Sequence, residues 1–306
     1  MRNWTIVAAV GGVIGLAIVA VLVTSGDDDA SPAGATSAED LLISAEDLQQ
    51  LRGEDDVLVL DAREVDDYQQ GAIPDAVSLP TEALNRTVTL DDGTEIPRIV
   101  QEPDEIAEPL RSAGVSSDTH VVVYDNGAET SATRIFWVLD YYGHDQISVL
   151  DGGLRAWQDQ GGELSTTPAE PDPGDFVPEP VPSRHADFDY VQKAMFSDTV
   201  VLCNGLSPDS YQDESIEGST NLHATTLFED GEVPHFRGHE TLEQMLADAG
   251  YEDGQAFLSF CGSGYMASIN YFAARLLGLE EVRMYDGSLV DWNARGGAVL
   301  PSGGDA

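Results

Sequence analysis

The chain has 306 residues, and its 55 acidic side chains outweigh 14 basic ones to give a formal net charge of −41. Hydrophobic residues make up 42% of it, and they are interleaved with the acids, so the acidity indicates a folded protein rather than disorder. A surface this negative repels phosphate backbones and anionic headgroups, which excludes nucleic acid as a partner. We interpret the acidic excess as adaptation to high salt, where a short Debye length screens self-repulsion.

The N-terminal residues 1–25 contain an apolar segment, Thr5–Thr24, whose 20 residues carry no charge. That length spans the hydrocarbon core of a bilayer. Arg2 precedes the segment and three aspartates at 27–29 follow it, which predicts a cytoplasmic N-terminus with the rest of the chain outside. We expect a single-pass anchor in the cell membrane, and this is the only membrane contact expected. The alternative is a cleaved signal peptide and a secreted protein.

Two breaks in composition divide the rest of the chain. Residues 26–40 are small and acidic and include proline and glycine, which predicts a flexible stalk. Residues 166–185 are rich in proline, which disfavours helix and central strand and predicts a linker. We therefore expect one domain in residues 41–165 and a second in residues 186–306.

The two predicted domains resemble each other in sequence. "YYGHDQISVLDGGLRAWQDQGG", which starts at Tyr141, and "LLGLEEVRMYDGSLVDWNARGG", which starts at Leu276, match at a constant offset of 135. The matched pairs are Gly143 and Gly278, Asp151 and Asp286, Gly152 and Gly287, Leu154 and Leu289, Trp157 and Trp292, and Gly161 and Gly296. The front halves match at an offset of 143, through Tyr68 with Tyr211 and Ile73 with Ile216. This pattern indicates an internal duplication.

Each half alternates strand and helix patterns along the chain. The first half has the short apolar runs "DVLVLDA", "THVVVYD" and "QISVLDGG", with the helical pattern "SATRIFWVLDYYG" between the last two. The second half has "TVVLCN", "QAFLSFC" and "EVRMYDGS" in the same places. The pattern predicts two α/β domains, each a mainly parallel sheet with helices on both faces. Ligands of such sheets bind at the carboxyl ends of the strands.

Cys261 falls at such a strand end, after "AFLSF" and before the helical stretch "ASINYFAARLLG". A lone cysteine in an apolar run is usually a small buried hydrophobe. Here, however, Gly262 and Gly264 permit backbone conformations that aim N–H groups inward. A helix N-terminus adds positive potential, which favours a thiolate without basic side chains. We therefore predict that Cys261 is a nucleophile with an exposed sulfur.

The order of strand, Cys-x-x-Gly-x-x-Ala/Ser, helix and "YDGSLVDW" resembles the rhodanese family, and the match extends over residues 40–300. Two copies with a proline-rich linker resemble its tandem sulfurtransferases for thiosulfate or 3-mercaptopyruvate. The resemblance implies that Cys261 takes the outer sulfur of a small donor as a persulfide and passes it to a thiol or cyanide. It implies that loop N–H groups bind the donor and the persulfide, namely those of Gly262, Ser263, Gly264, Tyr265, Met266 and Ala267. It implies no cofactor and no metal, and the sequence identifies no protein partner.

The corresponding loop of the first half is "YDNGAETSA", which starts at Tyr124. We align its Asp125 and Asn126 with Phe260 and Cys261. Because an aspartate cannot carry sulfane sulfur, we expect the first domain to be non-catalytic, as the resemblance also implies. For Asp61 and Arg63 of "LDAR", we expect a structural ion pair.

The front half of the second domain departs from the family pattern. The active domain of the family usually reads "VDAR", with a second arginine further on, and these arginines hold the donor's sulfonate or carboxylate. Here "LCNGLSPDSYQDE" places Cys203 for the aspartate and Gly205 for the arginine. The loss of such contacts, each worth a few kcal/mol in a dry site, should raise the donor's KM. Arg237 is a candidate replacement.

The departure leaves the donor open. Gly262 and Ser263 replace the Arg-Lys pair that the family associates with thiosulfate, which favours mercaptopyruvate, while the missing arginines disfavour both donors. Polysulfide therefore stays a candidate donor. The alternative to an enzyme is a degenerate rhodanese pair that binds a partner or carries sulfur at the cell surface.

Cys203 is the second of two cysteines and also ends a predicted strand. If it lies near Cys261, the two thiols could form a disulfide outside the cell. The alternative is a buried, unpaired Cys203. His235 and His239 have the spacing of metal ligands on a helix, but Gly238 between them indicates a loop instead.

Overall fold

The computed structural model of the chain describes residues 41–299. The predicted anchor (1–25), the predicted stalk (26–40) and the last residues of the second domain lie outside the described residues. Within residues 41–299, no helix combines the length and the apolar character that a membrane crossing requires.

The first domain contains a five-stranded sheet in the order β1-β7-β6-β2-β3, and all of its strand pairs are parallel. The strands β4 and β5 form a separate antiparallel hairpin. The elements in chain order are β1 (Leu42–Ile43), α1 (Ala45–Leu51), β2 (Val57–Asp61), α2 (Val65–Gln70), β3 (Val77–Ser78), a 3-10 helix (Thr81–Leu84), β4 (Asn85–Thr89), β5 (Glu95–Val100), α3 (Pro103–Ser112), β6 (His120–Tyr124), α4 (Ser131–Tyr141), β7 (Ile147–Leu150) and α5 (Gly153–Asp159).

The second domain repeats this topology, with a parallel sheet in the order β8-β12-β11-β9-β10. Its elements are a 3-10 helix (Pro182–Arg184), β8 (His185–Ala186), α6 (Phe188–Ala194), β9 (Val200–Asn204), α7 (Pro208–Asp213), β10 (Thr220–Asn221), a 3-10 helix (Ala224–Leu227), α8 (His239–Asp248), β11 (Ala256–Phe260), α9 (Tyr265–Leu276), β12 (Val282–Tyr285) and α10 (Ser288–Ala294). The equal strand orders confirm the predicted duplication and the predicted α/β class.

The central strands are buried along almost their whole length, because helices cover both faces of each sheet. In the second domain, Leu258 and Phe260 of β11 contribute to the core on one face, while Phe257 and Cys261 contribute to the core on the other. The latter core is shared between the domains. Phe136 of α4 and Phe272 of α9 meet there edge to face, with ring centroids 4.7 Å apart.

The predicted linker contains no helix or strand over residues 166–181. Its backbone is nevertheless bound to the first domain, because Gly174 N–H donates to the C=O of Arg111 at 2.8 Å and Val181 N–H donates to that of Tyr141 at 2.7 Å. Phe176 is buried and lies against His144, with ring centroids 5.2 Å apart. The linker is therefore packed along the domain surface.

Candidate active site at Cys261

Cys261 follows the last residue of the central strand β11 and lies four residues before α9 begins at Tyr265. Its backbone is fixed by the start of α10. The N–H of Cys261 donates to Oγ of Ser288 at 3.0 Å, and its C=O accepts from Leu289 N–H at 3.0 Å. The next carbonyl, that of Gly262, accepts from Val290 N–H at 3.1 Å. These bonds hold the start of the loop in one position.

Ser288 has an unusual backbone for this role. It is buried, and its φ of 48° lies in the left-handed region that a non-glycine residue enters only at a cost. Its hydroxyl donates to the C=O of Tyr285 at 2.8 Å while it accepts from Cys261. Ser288 is part of the "DGSLVDW" motif but had no predicted role, because nothing in a linear pattern joins it to Cys261.

Cys261 is buried, with 2% of its surface exposed, so the expectation of an exposed sulfur is wrong. The burial follows from its position. It continues β11 on the face shared with Phe257 and Cys203, and the start of α10 closes over its backbone. A donor therefore has to reach the sulfur through the loop.

The loop after Cys261 has a set of uncommitted N–H groups. Among residues 41–299, no acceptor binds the N–H of Gly262, Ser263 or Gly264. Helix α9 then begins without a side-chain cap, so the N–H groups of its first turn, Tyr265 to Ala267, also lack partners. Such a cluster at a helix N-terminus is a site for an anion.

The first domain has a counterpart of Cys261 in Asp125. Asp125 follows β6 as Cys261 follows β11, and its C=O accepts from Leu154 N–H at 2.8 Å, as that of Cys261 does from Leu289. Asp125 therefore occupies the place of Cys261, and our alignment of Asn126 with Cys261 is wrong by one residue. The alignment failed because the first loop spans residues 125–130 and the second only 261–264.

The carboxylate of Asp125 accepts hydrogen bonds from the N–H of Gly127 at 2.7 Å and from that of Ala132 at 3.0 Å. The first loop thus carries its own anion in contact with the loop and helix N–H groups. Complete burial raises the pKa of Asp125 to about 6, although the two N–H groups act in the opposite direction. In the second domain a cysteine takes the place of this aspartate, and none of residues 41–299 accepts a hydrogen bond from the N–H groups of its loop.

Gly264 is the residue of the second loop whose backbone requires glycine. Its φ is 82°, and a side-chain carbon there would lie 2.4 Å from the C=O oxygen of Asp286. Gly262 has no left-handed φ, and a side-chain carbon there would meet nothing within 4 Å. Of the two glycines that we expected to permit a special backbone, Gly264 therefore uses that freedom and Gly262 does not.

The sheet register also corrects the comparison of the front halves. Asp61 pairs with Tyr124 as Asn204 pairs with Phe260, so Asn204 takes the place of the aspartate and Leu206 that of the arginine. Cys203 and Gly205, which we proposed for these places, each lie one residue earlier. In the first domain the expected ion pair is confirmed, because Nη2 of Arg63 lies 2.6 Å from Oδ2 of Asp61, with both side chains buried.

A cleft of about 310 Å³ opens beside Gly262. Its walls are Leu206, Ser210, Asp213, Glu214, Gly262, Leu289, Val290 and Asn293. This lining contains two carboxylates and no basic side chain. Arg237, the candidate replacement for the missing arginines, is absent from the lining and donates instead from Nε to the C=O of Thr226 at 2.7 Å.

Both cysteines are free thiols, and Cys203 is fully buried. Its register partner is Ser259 of β11, and its Sγ accepts from Nδ2 of Asn270 at 3.5 Å. Burial raises the pKa of Cys203 to about 12, so this thiol is protonated at neutral pH. Because both thiols are free, the structure contains no disulfide between Cys203 and Cys261.

The first domain supports the loop from the other side. The hydroxyl of Tyr265 accepts from Nδ2 of Asn85 at 2.7 Å, and it lies 3.2 Å from Oγ1 of Thr81. Arg134 of α4 forms an ion pair with Asp286 at 2.6 Å, and both are 1% exposed. Arg134 had no predicted role, because its helix pattern is apolar and its partner lies in the other domain.

The two aspartates of the "DG" motifs hold the domains together in the same way. Oδ2 of Asp286 accepts from Val100 N–H at 2.8 Å, and Oδ1 of Asp151 accepts from Phe236 N–H at 2.9 Å. His235 binds Asp151 at 2.9 Å, whereas His239 begins α8. No group of three or more metal-ligating side chains occurs within residues 41–299.

Comparison with known proteins assigns the family. A family model for the rhodanese-like domain matches residues 44–160 and 187–295. The chain belongs to the rhodanese family. Both copies predicted from the sequence are rhodanese-like domains, and the resemblance inferred from the cysteine loop and "YDGSLVDW" is confirmed.

Relatives of known activity cover most of this rhodanese chain. The 3-mercaptopyruvate sulfurtransferase of Escherichia coli is 28% identical over 246 residues, which covers 77% of this chain and 84% of the relative. The thiosulfate sulfurtransferase of Rattus norvegicus is 28% identical over 246 residues, covering 75% of this chain and 80% of the relative. The crystal structure of the E. coli 3-mercaptopyruvate sulfotransferase SseA matches with a TM-score of 0.71 at 26% identity, covering 81% of this chain and 98% of that one.

Proposed function

We propose that this protein is a sulfurtransferase that carries sulfane sulfur as a persulfide on Cys261. The observation that carries the proposal is the difference between the two loops. In the first domain the N–H groups of Gly127 and Ala132 bind the carboxylate of Asp125. In the second domain a cysteine replaces the aspartate, and the loop N–H groups have no acceptor within the described part of the chain. An anionic sulfur bound to Cys261 would occupy the place of that carboxylate. The sulfurtransferase relatives support the same chemistry.

The reaction has two half-reactions. The Cys261 thiolate attacks the outer sulfur of a donor, the bond between that sulfur and the rest of the donor breaks, and the donor leaves with the electron pair. A thiolate or cyanide then attacks the outer sulfur of the persulfide and releases the Cys261 thiolate. Hydrogen bonds from N–H groups to a charged acceptor contribute about 1.5–3 kcal/mol each, so several of them can stabilise the persulfide anion without a basic side chain.

The charge of the cleft beside Gly262 bears on which sulfur donor the protein uses. The lining of the cleft beside Gly262 has Leu206 in the place of an arginine and adds the carboxylates of Asp213 and Glu214. These groups give no binding energy to the carboxylate of mercaptopyruvate or to the charge of thiosulfate. Polysulfide is an anion as well, so the lining does not rank the three donors, and polysulfide stays a candidate beside the other two. The same lining, with a buried Cys261, favours as second candidate a carrier that accepts sulfur without rapid turnover.

A steady-state assay distinguishes the two. The full chain at high salt is given thiosulfate, 3-mercaptopyruvate or polysulfide, with cyanide as acceptor, and thiocyanate is measured against time. The enzyme predicts many thiocyanates per chain with parallel-line kinetics, and the carrier predicts about one per chain. Each rate is corrected for the direct reaction of the donor with cyanide, measured without protein. Loss of the remaining, protein-dependent thiocyanate in Cys261→Ser is required by both, and protein-dependent thiocyanate formation that survives this substitution contradicts both.

A further inference from the structure

We propose that Arg98 of the first domain binds the anionic oxygen atoms of the sulfur donor at the Cys261 loop. This inference rests on the proposed function, because it concerns the donor of the first half-reaction. It supplies a cation that the cleft beside Gly262 lacks, and it assigns the donor to the carboxylates and sulfonates rather than to the polysulfides.

Arg98 lies beside the start of α9. Its guanidinium carbon is 5.5 Å from the ring centroid of Tyr265, the first residue of that helix. Its C=O accepts from Nη2 of Arg134 at 3.2 Å. Nη1 of Arg134 in turn lies 3.1 Å from the point that a side-chain carbon on Gly264 would occupy. Arg98 therefore belongs to the part of the first domain that contacts the loop after Cys261.

The duplication gives Arg98 a counterpart, Pro234, in the second domain. Val100 and Phe236 each pair in the antiparallel sense with the residue that follows a 3-10 helix. The N–H of each donates to the "DG" aspartate of the other domain. Val100 and Phe236 are therefore equivalent, and Arg98 and Pro234 stand two positions before them.

Pro234 lies against the loop of the first domain that corresponds to the Cys261 loop. Its Cγ is 3.4 Å from the point that a side-chain carbon on Gly127 would occupy, and the N–H of Gly127 donates to the carboxylate of Asp125 at 2.7 Å. The same arrangement in the other half of the molecule puts Arg98 against the loop of Cys261. The loop with its own carboxylate thus has a neutral residue beside it, and the loop with the cysteine has a cation.

The charge of Arg98 is available to a ligand. The residue is exposed, and its side chain has no ion pair or hydrogen bond with any of residues 41–299. Its φ of 64° lies in the left-handed region, which costs free energy for a residue with a side chain. A strained cation without a carboxylate partner, in a chain of net charge −41, indicates a role in binding.

A guanidinium group favours oxyanions as ligands. Its planar N–H groups match two oxygen atoms of a carboxylate or a sulfonate and form two parallel hydrogen bonds with them. Polysulfide has no oxygen atoms for this fork. Arg98 therefore favours 3-mercaptopyruvate and thiosulfate, whose outer sulfur reacts at Cys261 while their oxygen atoms contact the guanidinium.

The experiment compares Arg98→Gln and Arg98→Lys with a matched control. The control is Arg155→Gln, which removes the same charge from an exposed arginine of α5 that also lacks an ion pair and a hydrogen bond among residues 41–299. Each full chain is mixed with 3-mercaptopyruvate, thiosulfate or polysulfide at several concentrations, and intact mass follows the gain of sulfur with time. The buffer contains about 1 M salt, where the Debye length of about 3 Å screens all but direct contacts of a charge.

We expect Arg98→Gln to raise the half-saturating concentration of the oxyanion donors about tenfold, with a change of less than about twofold in the maximal loading rate. Arg98→Lys keeps the charge without the planar fork and should recover part of the loss. Loading by polysulfide, and every value of Arg155→Gln, should change by less than about twofold.

Three results overturn the inference alone. They are a wild type that loads from polysulfide but from neither oxyanion, an Arg98→Gln variant with the half-saturating concentrations of the wild type, and an equal loss with all three donors. Failure of the wild type to load sulfur on Cys261 from any donor overturns the proposed function and the inference with it.

Discussion

Asp125 and Cys261 occupy the same place in the two domains, each one residue beyond its central strand and each with its C=O bound to the N–H of a leucine. In the first domain that place holds a carboxylate bound by N–H groups, and in the second it holds a thiol, followed by loop N–H groups for which residues 41–299 supply no acceptor. The duplication thus provides an internal comparison. The first domain has a carboxylate in the position where, under the proposed function, the second domain holds its sulfur.

The two cysteines should differ sharply in reactivity towards sulfur donors. Because burial raises the pKa of Cys203 to about 12, its thiolate is scarce at neutral pH, and Cys203→Ser should change the rate of thiocyanate formation by less than about twofold. Cys261→Ser should remove it. A Cys203→Ser variant with as little activity as Cys261→Ser would show that sulfur passes through both residues.

The two loop glycines should respond differently to alanine. Gly264→Ala forces a side-chain carbon to within 2.4 Å of the Asp286 carbonyl at a φ of 82°, so we expect a loss of at least about 1–3 kcal/mol in the free energy of unfolding. Gly262→Ala meets open space and should change it by less than about 0.5 kcal/mol. Urea unfolding of both variants at high salt makes the comparison, and equal losses would contradict the loop geometry described above.

Removal of the Ser288 hydroxyl should slow persulfide formation. Ser288→Gly keeps a residue that tolerates the φ of 48° and deletes the acceptor of the Cys261 N–H. We expect a decrease of about tenfold in the rate of persulfide formation, since the variant loses one of the three hydrogen bonds that hold the start of the loop. The unfolding midpoint in urea serves as the control. A variant with the wild-type rate would show that Leu289 and Val290 alone hold the loop.

The buried ion pair between Arg134 and Asp286 should be costly to break from one side. Asp286→Ala leaves Arg134 buried without its partner and Val100 N–H without its acceptor, so we expect a loss of about 3–5 kcal/mol. Replacement of both residues by apolar ones should cost less than this single substitution. Denaturant unfolding of the single and double variants measures the coupling, and strictly additive losses would contradict it.

Stability should depend on pH through Asp125. Its pKa of about 6 in the folded state exceeds the unfolded value of about 3.9, so the folded state binds the proton more tightly. This contribution is present below pH 4 and is lost as the pH rises through 6, by up to about 3 kcal/mol. The free energy difference between the wild type and Asp125→Asn should therefore change by this amount between the two pH values. An unchanged difference would show that the carboxyl titrates alike in both states.

The fold could be predicted from the sequence because the duplication and the apolar strands are local patterns. The alternation of strand and helix patterns around "DVLVLDA" and "QAFLSFC" predicted the parallel sheets. The matched "DG" motifs predicted the duplication of the domain. The residue-level comparison failed by one position at Asp125 and at Asn204. The loop after β6 and the loop after β11 differ in length, so only the strand register settles which of their residues correspond.

The site could be predicted only in part. Cys261 and its loop follow from the glycine spacing and the following helix, but the burial of Cys261 depends on the core that it joins, which includes residues of the first domain. Arg134, Asn85 and Ser288 were missed because their partners are distant in the chain. The membrane anchor and the adaptation to high salt stay predictions.

The most direct test of the account locates the transferred sulfur. The full chain, its Cys203→Ser variant and its Cys261→Ser variant are incubated with polysulfide, the thiols are trapped, and peptide mass spectrometry assigns the added sulfur. The account predicts one additional sulfur on the peptide that contains Cys261 in the wild type and in Cys203→Ser, and none in Cys261→Ser. Sulfur on Cys203 alone, or no sulfur on Cys261 with any donor, would contradict it.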